Sequence, residues 1–318
     1  MKKPRSFRSG AFLYREERFM DTVKNDRSTT IGYISAIVSA CTFGFIPLFV
    51  LPLFHDGYSA TDVLVYRTLF CSIGLAVYML FAKIPFTISW KDVPFFVLGG
   101  IFYFCSAWFL LIGYTYISSG LATTIHFSYP FFVALILLVL FGKRPSFKSM
   151  LAILLAVGGV ASISMFSGTE LDPSTSFAGI AMILFSGFTY AAYIVELKHT
   201  RLSRFPGFRT TLYVMFVACV MFCVVSLFNQ GYIQPLRAVS NYTNAILLAL
   251  VPTIVSNLTL IVAVKHIGSS KASVLGALEP LTALVIGVMI FGESLSIGGM
   301  AGVVLILLSV YLVIRDKQ

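Results

Sequence analysis

Glu279 is a carboxylate in the middle of a run long enough to cross a bilayer, Ala272 to Glu293, and Pro280 follows it directly. A charge at that depth costs about 2.5–3.5 kcal/mol on insertion scales, so such residues usually face a bundle interior or a wet cavity. Proline removes a backbone donor and loosens the helix, which is tolerated where neighbours or water satisfy the freed groups. The chemistry open to Glu279 is binding a cationic group, or taking and releasing a proton. The plainer alternative is a structural carboxylate satisfied by backbone donors at the Pro280 break. His126 and Tyr129 stand beside a second such proline, Pro130. His126 is the one other group of that kind able to couple to protons, although a lone histidine in a helix is more often simply hydrogen-bonded.

Helical spacing gathers the remaining polar residues into stripes. His126, Tyr129, Pro130 and Val133 share a face at i, i+3, i+4, i+7, and so do Gly276, Glu279, Pro280 and Ala283. Other stripes are Ser35, Ser39 and Thr42; Tyr103 and Ser106; Ser186, Thr189, Tyr190 and Tyr193; and Thr253, Ser256 and Asn257. These faces are expected to point inward and line a cavity. Against this, Ser, Thr and Asn also serve as interhelical hydrogen-bond glue, worth about 0.6 kcal/mol each. Arg67 lies near the outer end of its run. It either reaches outward by snorkelling, pairs with Asp62 or a helix cap, or draws anionic or carboxylate substrates to an outer vestibule. Glu196, near the inner end of its run, reads as solvated and structural.

The elements that position these residues are ten apolar runs, at roughly 32–54, 62–82, 93–115, 120–141, 149–167, 177–197, 209–228, 243–264, 272–291 and 297–314. The chain has 318 residues, 58% hydrophobic and 11% charged, against about 25% charged in soluble domains. Runs of about 20 apolar residues mark helices, whereas barrel strands alternate over about 10. The net charge of +10 is a matter of orientation: 21 of the 23 Lys and Arg fall in the tail and in alternate loops, leaving Arg67 and Arg237. That puts both termini in the cytoplasm, makes a nucleic-acid partner unnecessary, and places Thr169 and Asn241 outside with Ser146 and Ser203 inside. Residues 1–31 read as a disordered cytoplasmic leader, with Met20 as an alternative start. The five cysteines sit inside apolar runs without metal or redox spacing and read as packing residues.

The two halves repeat. A shift of 150 sets Ala122 on Ala272, Pro130 on Pro280, Gly142 on Gly292 and Met150 on Met300. Each half, 32–167 and 177–314, holds five runs. Because five is odd, the second half enters the membrane from the opposite side, the inverted-repeat plan of secondary transporters. The fold expected is an all-α integral membrane protein of ten transmembrane helices in two inverted five-helix repeats.

HFSYPFFVALILLVLFGKRPSFKSMLAILLAVGGVASIS (126–164) and ALEPLTALVIGVMIFGESLSIGGMAGVVLILLSVYLV (277–313) resemble the two EamA repeats of the drug/metabolite transporter superfamily. Glu279, Pro280, Gly292 and Glu293 match its second-half pattern, and Pro130 and Gly142 its first. Lys143 stands where the family usually has Glu; a lysine at a helix C-terminus suits the dipole and lipid head groups, so it reads as structural. The resemblance implies a multi-pass protein of the inner cell membrane that exports amino acids or related small metabolites. The alternatives are a multidrug or cation exporter or, from another class, an intramembrane enzyme or a non-transporting sensor. No nucleotide-binding, zinc or nucleophile motif appears, so no cofactor, no metal and no catalytic residue is expected, and a gradient must drive transport. The partners expected are a small molecule and the lipid bilayer. Gly158-Gly159 and Gly298-Gly299 with Gly302 serve close helix packing or a homodimer contact.

The substrate or coupling set expected is Glu279, His126, Tyr129, Asn257, Tyr103, Ser106, Thr189, Tyr190, Tyr193, Ser39 and Arg67, with Pro130 and Pro280 as helix breaks.

Overall fold

A computed structural model describes residues 27–113, 116, 119–165, 177–292 and 296–316, without side chains at 119–121, 164, 165 and 291. The leader before residue 27, Thr169 and Glu293 lie outside the described residues. The helices are α1 (Arg27–His55), α2 (Ala60–Phe81), α3 (Val93–Gly113), α4 in two pieces (Ser119–His126 and Tyr129–Phe141) and α5 (Phe147–Met165). The second half holds α6 (Phe177–His199), α7 (Gly207–Gln230), α8 (Val239–Ile267), α9 in two pieces (Ser269–Leu275 and Leu278–Phe291) and α10 (Ile297–Arg315). There is no strand among the described residues.

Among the described residues, nine helical stretches are long and apolar enough to span a bilayer, and Phe147–Ile163 of α5 is a further apolar helical stretch. Nine of the ten expected spans are met on this measure, and the fifth expected run falls on α5. Large apolar side chains face outward along them, Leu80 at 65%, Val139 at 70% and Leu154 at 65% exposure, as in a lipid-facing belt rather than a soluble surface.

Local chemistry sets the helix ends. Ser59 accepts a hydrogen bond from the Asp62 amide and donates to its carboxylate, capping α2 from both sides. Gly142 and Gly292, equivalent in the two halves, close α4 and α9 with φ of 64° and 70°, a left-handed turn that a side chain disfavours.

Exchanging α1–α5 for α6–α10 maps the packing onto itself. Helix α3 packs on α6 as α8 packs on α1, through Ser186 on the Ser106 carbonyl (2.6 Å) and Ser39 on the Ser256 carbonyl (2.9 Å). Two pairs lie across the exchange axis, and both are antiparallel. Ser146 and Ser149 at the start of α5 donate to Asp316 beyond the end of α10, while Gly159 meets Gly302 further along. Asp62 near the start of α2 takes Ser226 near the end of α7, and Tyr78 near its end meets Phe208 near the start of α7. The two units are therefore upside down relative to each other. Gly159 and Gly302 permit the α5–α10 contact, since a Cβ on Gly302 would lie 2.5 Å from the Gly159 carbonyl oxygen.

One end of the bundle is basic and tightly tied. Lys198 donates to the Lys265 carbonyl, Lys265 to that of Phe205 (2.5 Å), Lys271 to that of Asp316 (2.6 Å), and Arg201 pairs with Asp92 at 3.2 Å. At the opposite end Tyr58 and Tyr66 donate to the Pro235 and Gln234 carbonyls. Asn241, expected to be accessible there, is only 3% exposed and donates to Tyr58.

Candidate functional site

Both proline-bearing helices are broken beside their most polar residues. Helix α4 stops at His126 and resumes at Tyr129, with Pro130 in the first turn of the new piece; α9 stops at Leu275 and resumes at Leu278, with Glu279 and Pro280 in the first turn. A broken helix exposes amides and carbonyls at mid-depth, tolerated only where protein or a cavity surrounds it. By the repeat of 150, Tyr129 and Glu279 are equivalent positions. The structure brings them to the same place.

That place is a cavity between α1, α4, α6, α8 and α9, about 20 Å³ in volume, room for a water or two. Ser39 and Phe43 line it from α1, Tyr129 from α4, Tyr190 from α6, Ser256 from α8, and Ser273, Gly276 and Glu279 from α9. The Glu279 carboxylate has no hydrogen-bond or ion-pair partner among the described residues, which sets aside the reading in which backbone donors satisfy it. Tyr129 and Tyr190 stack edge to face with centroids 4.8 Å apart. Gly276 yields to Tyr129, whose hydroxyl oxygen lies 1.9 Å from where a Cβ on the glycine would sit. Gly44, at the bend in α1, lies against the backbone carbonyl of Glu279, 2.6 Å from its own Cβ position. Ser39 and Ser256 exchange hydrogen bonds across α1 and α8, each hydroxyl donating to the other's carbonyl at 2.9 and 3.0 Å.

Arg67 is a correction. It is 6% exposed, so it neither snorkels outward nor caps a helix, and Asp62 is engaged with Ser59 and Ser226 instead. Its Nε donates to Thr253 (2.7 Å), one terminal nitrogen to the Pro252 carbonyl (3.3 Å), and its guanidinium lies 5.0 Å from the Phe43 ring centre. Thr253 and Pro252 belong to a π-helical stretch of α8, Leu250–Val255, in which Pro252 has no amide to donate. Arg67 is close enough to Glu279 for the two charges to act on each other, with Phe43 in contact with both the guanidinium and the cavity.

The other expected residues divide. His126 borders the tyrosines, its ring 5.9 Å from Tyr129 and 5.8 Å from Tyr190, and its Nδ1 shares a 2.9 Å hydrogen bond with Ser186. Tyr103, Ser106, Thr189, Tyr193 and Asn257 do not line the cavity. Thr189 bonds to its own helix, Asn257 donates to the Thr253 carbonyl and accepts from Tyr193, and Tyr103 packs edge-on to Tyr193. Phe43 escaped the sequence reading, although Ala36, Ser39, Ala40 and Phe43 fall at i, i+3, i+4, i+7. Glu196, read as solvated, is 4% exposed and buried without hydrogen-bond partners among the described residues. Among the described residues no three His, Cys, Asp or Glu side chains gather as a metal site, and all five cysteines are unpaired.

The profile of the EamA-like transporter family matches the chain twice, over residues 30–165 and 177–315. The chain belongs to the EamA-like transporter family. Relatives agree with that assignment. The uncharacterized transporter YcxC of Bacillus subtilis (strain 168) is 26% identical over 296 residues, covering 88% of this chain and 92% of its own. An uncharacterized transporter of Archaeoglobus fulgidus is 28% identical over 233 residues, covering 72% of this chain and 80% of its own. A crystal structure at 15% identity superposes with a TM-score of 0.74, over 90% of this chain and 96% of that one, and supports the fold alone. An EamA-family chain with these helices is a multi-pass membrane transporter.

Proposed function

We propose that the protein is a secondary active exporter of amino acids or related small amine-bearing metabolites, working by alternating access of its two repeats across the cytoplasmic membrane. The observation that carries the reading is Glu279, a carboxylate without a partner among the described residues that opens into a cavity between the repeats. A group held so can receive an ammonium or a proton. Arg67 argues for the substrate class. With a guanidinium near the same cavity, a molecule carrying both an ammonium and a carboxylate matches the field better than a simple cation does. Phe43, Tyr129 and Tyr190 add ring faces that suit the ammonium and the apolar part of such a ligand. The same rings favour the second reading, a multidrug or cation exporter, in which Glu279 alone selects the charge.

Counterflow in proteoliposomes separates the two. Amino acids, organic cations and sugars are tested with and without a pH gradient, for wild type and Glu279→Gln. Amino acids are expected to exchange, and the variant to lose one to two powers of ten in rate, the effect of removing one charged hydrogen bond of about 1.5–3 kcal/mol. Wild-type exchange of organic cations alone selects the second reading. Unaltered transport by Glu279→Gln across pH removes the site assignment altogether.

A further inference from the structure

Glu196 lies on α6 near the basic end of the bundle, away from the cavity, and the transport reading leaves it without a task. It is 4% exposed, and neither carboxyl oxygen has a hydrogen-bond partner among the described residues. One of them lies 3.1 Å from where a Cβ on Gly99 would sit, with Val214 and Leu202 crowding the same spot at 3.2 and 3.5 Å. The carboxyl is thus pressed between α3, α6, α7 and the short turn Arg201–Arg204, and the missing side chain at Gly99 is what admits it.

The charged groups on the surrounding elements are engaged elsewhere. Arg201 pairs with Asp92, just ahead of α3, and Arg209 of α7 lies over the Phe205 ring, its Nε buried without a hydrogen-bond partner among the described residues. Lys265 of α8 and Lys271 of α9 each donate to a carbonyl, as does Lys198 of α6 itself, and Lys143 at the end of α4 shares a hydrogen bond with His199. Arg204 is exposed. The titratable neutral groups are Tyr103 of α3 and Tyr193 of α6, which face each other, Tyr213 of α7, bonded to the Phe86 carbonyl, His126 of α4, bonded to Ser186, and His266 of α8, bonded to Ser28. No ion pair to Glu196 exists among the described residues.

A bare carboxylate with no donor, no cation and no solvent is among the costliest things a protein can bury. We infer that Glu196 is a proton-binding site, occupied when the basic end of the bundle is closed and exchanging its proton with water when that end opens. The elements around it come from both repeats, α3 from the first and α6, α7 and the turn from the second, so rocking of the repeats parts them. Opening admits water, to which the carboxylic acid gives its proton; closing requires the proton back. Lower pH therefore favours the closed basic end. One linked proton changes the closed-to-open ratio at most tenfold per pH unit. The inference does not depend on Glu279 or on the substrate class.

The test needs no substrate. Spin labels at Trp90 and Arg204, with the five native cysteines replaced, report the separation of α3 from the turn as pH is varied. The closed distance is expected to lose population, by up to tenfold per unit, as pH rises in wild type, and to change less steeply with pH in Glu196→Gln, where Glu279 is left to titrate. A pH response as steep in Glu196→Gln as in wild type overturns the assignment, as does a wild type without one. Infrared titration gives a second measurement should Glu196→Gln fail to fold. In Glu279→Gln the carbonyl stretch of a neutral carboxylic acid is expected to vanish over the same pH range, and its absence throughout overturns the proposal.

Discussion

Gly276 carries more of the site than its lack of a side chain suggests. It occupies the face of α9 that Glu279 shares, and the Tyr129 hydroxyl fills the space a Cβ would need, 1.9 Å away. Gly276→Ala should destabilise the protein by about 1–3 kcal/mol, the usual cost of overpacking, read as a lower unfolding midpoint in detergent. Adding Tyr129→Phe removes the clashing oxygen and leaves the Ser273 carbonyl oxygen 3.0 Å and the ring carbon 3.2 Å away, so part of the loss should return. Equal destabilisation with and without the hydroxyl would show that another contact excludes the alanine. At this scale Glu279 was legible because a carboxylate inside an apolar run is rare. Arg67 was misread because its distance from the helix end said how far it could reach and nothing about which way it turned.

Helices α5 and α10 show how one element depends on its partner. Their antiparallel contact ends at Asp316, where burial alone would raise the carboxyl pKa. The hydroxyls of Ser146 (2.6 Å) and Ser149 (2.9 Å), with the charges of Lys271 and Lys148, outweigh that and hold it below the ordinary aspartate value. A depressed folded-state pKa contributes stability that is present above the unfolded value, about 3.9, and is lost as pH falls through the folded one. Wild type should therefore unfold at a higher temperature than Asp316→Asn near pH 7, and the gap should close on acidification below pH ~4. A gap independent of pH would mean the hydrogen bonds hold equally well to the neutral acid. The breaks in α4 and α9 could be expected from Pro130 and Pro280. The π-helical stretch of α8 could not, because Pro252 alone does not say whether a helix kinks, ends or widens.

For the whole molecule, the exchange symmetry and the basic end make a joint prediction about orientation. With the basic end in the cytoplasm, a membrane-impermeant maleimide added outside should label a cysteine at Ser240 and leave one at Lys148 untouched, in a chain lacking its native cysteines. Ser240 serves where its neighbour Asn241 does not, because Asn241 is buried against Tyr58. Labelling of Lys148→Cys alone would turn the molecule over. Two units related upside down were legible from an odd number of apolar runs and a repeat of 150, since both follow from chain order.

By itself the sequence determined an apolar, helical, twice-repeated chain and the carboxylate at its centre, because span length, charge asymmetry and internal repetition are properties of residues in order. Only the tertiary structure decided which polar faces meet. Tyr103 and Asn257 sit in stripes with the same spacing as those of Ser39 and Glu279, but Tyr103 packs on Tyr193 and Asn257 bonds to its own helix and to Tyr193 instead of lining the cavity. Periodicity fixes the face of a helix a residue occupies, while the rotation of that helix against its neighbours is set by contacts far apart in sequence, such as Gly276 with Tyr129 and Glu196 with Gly99.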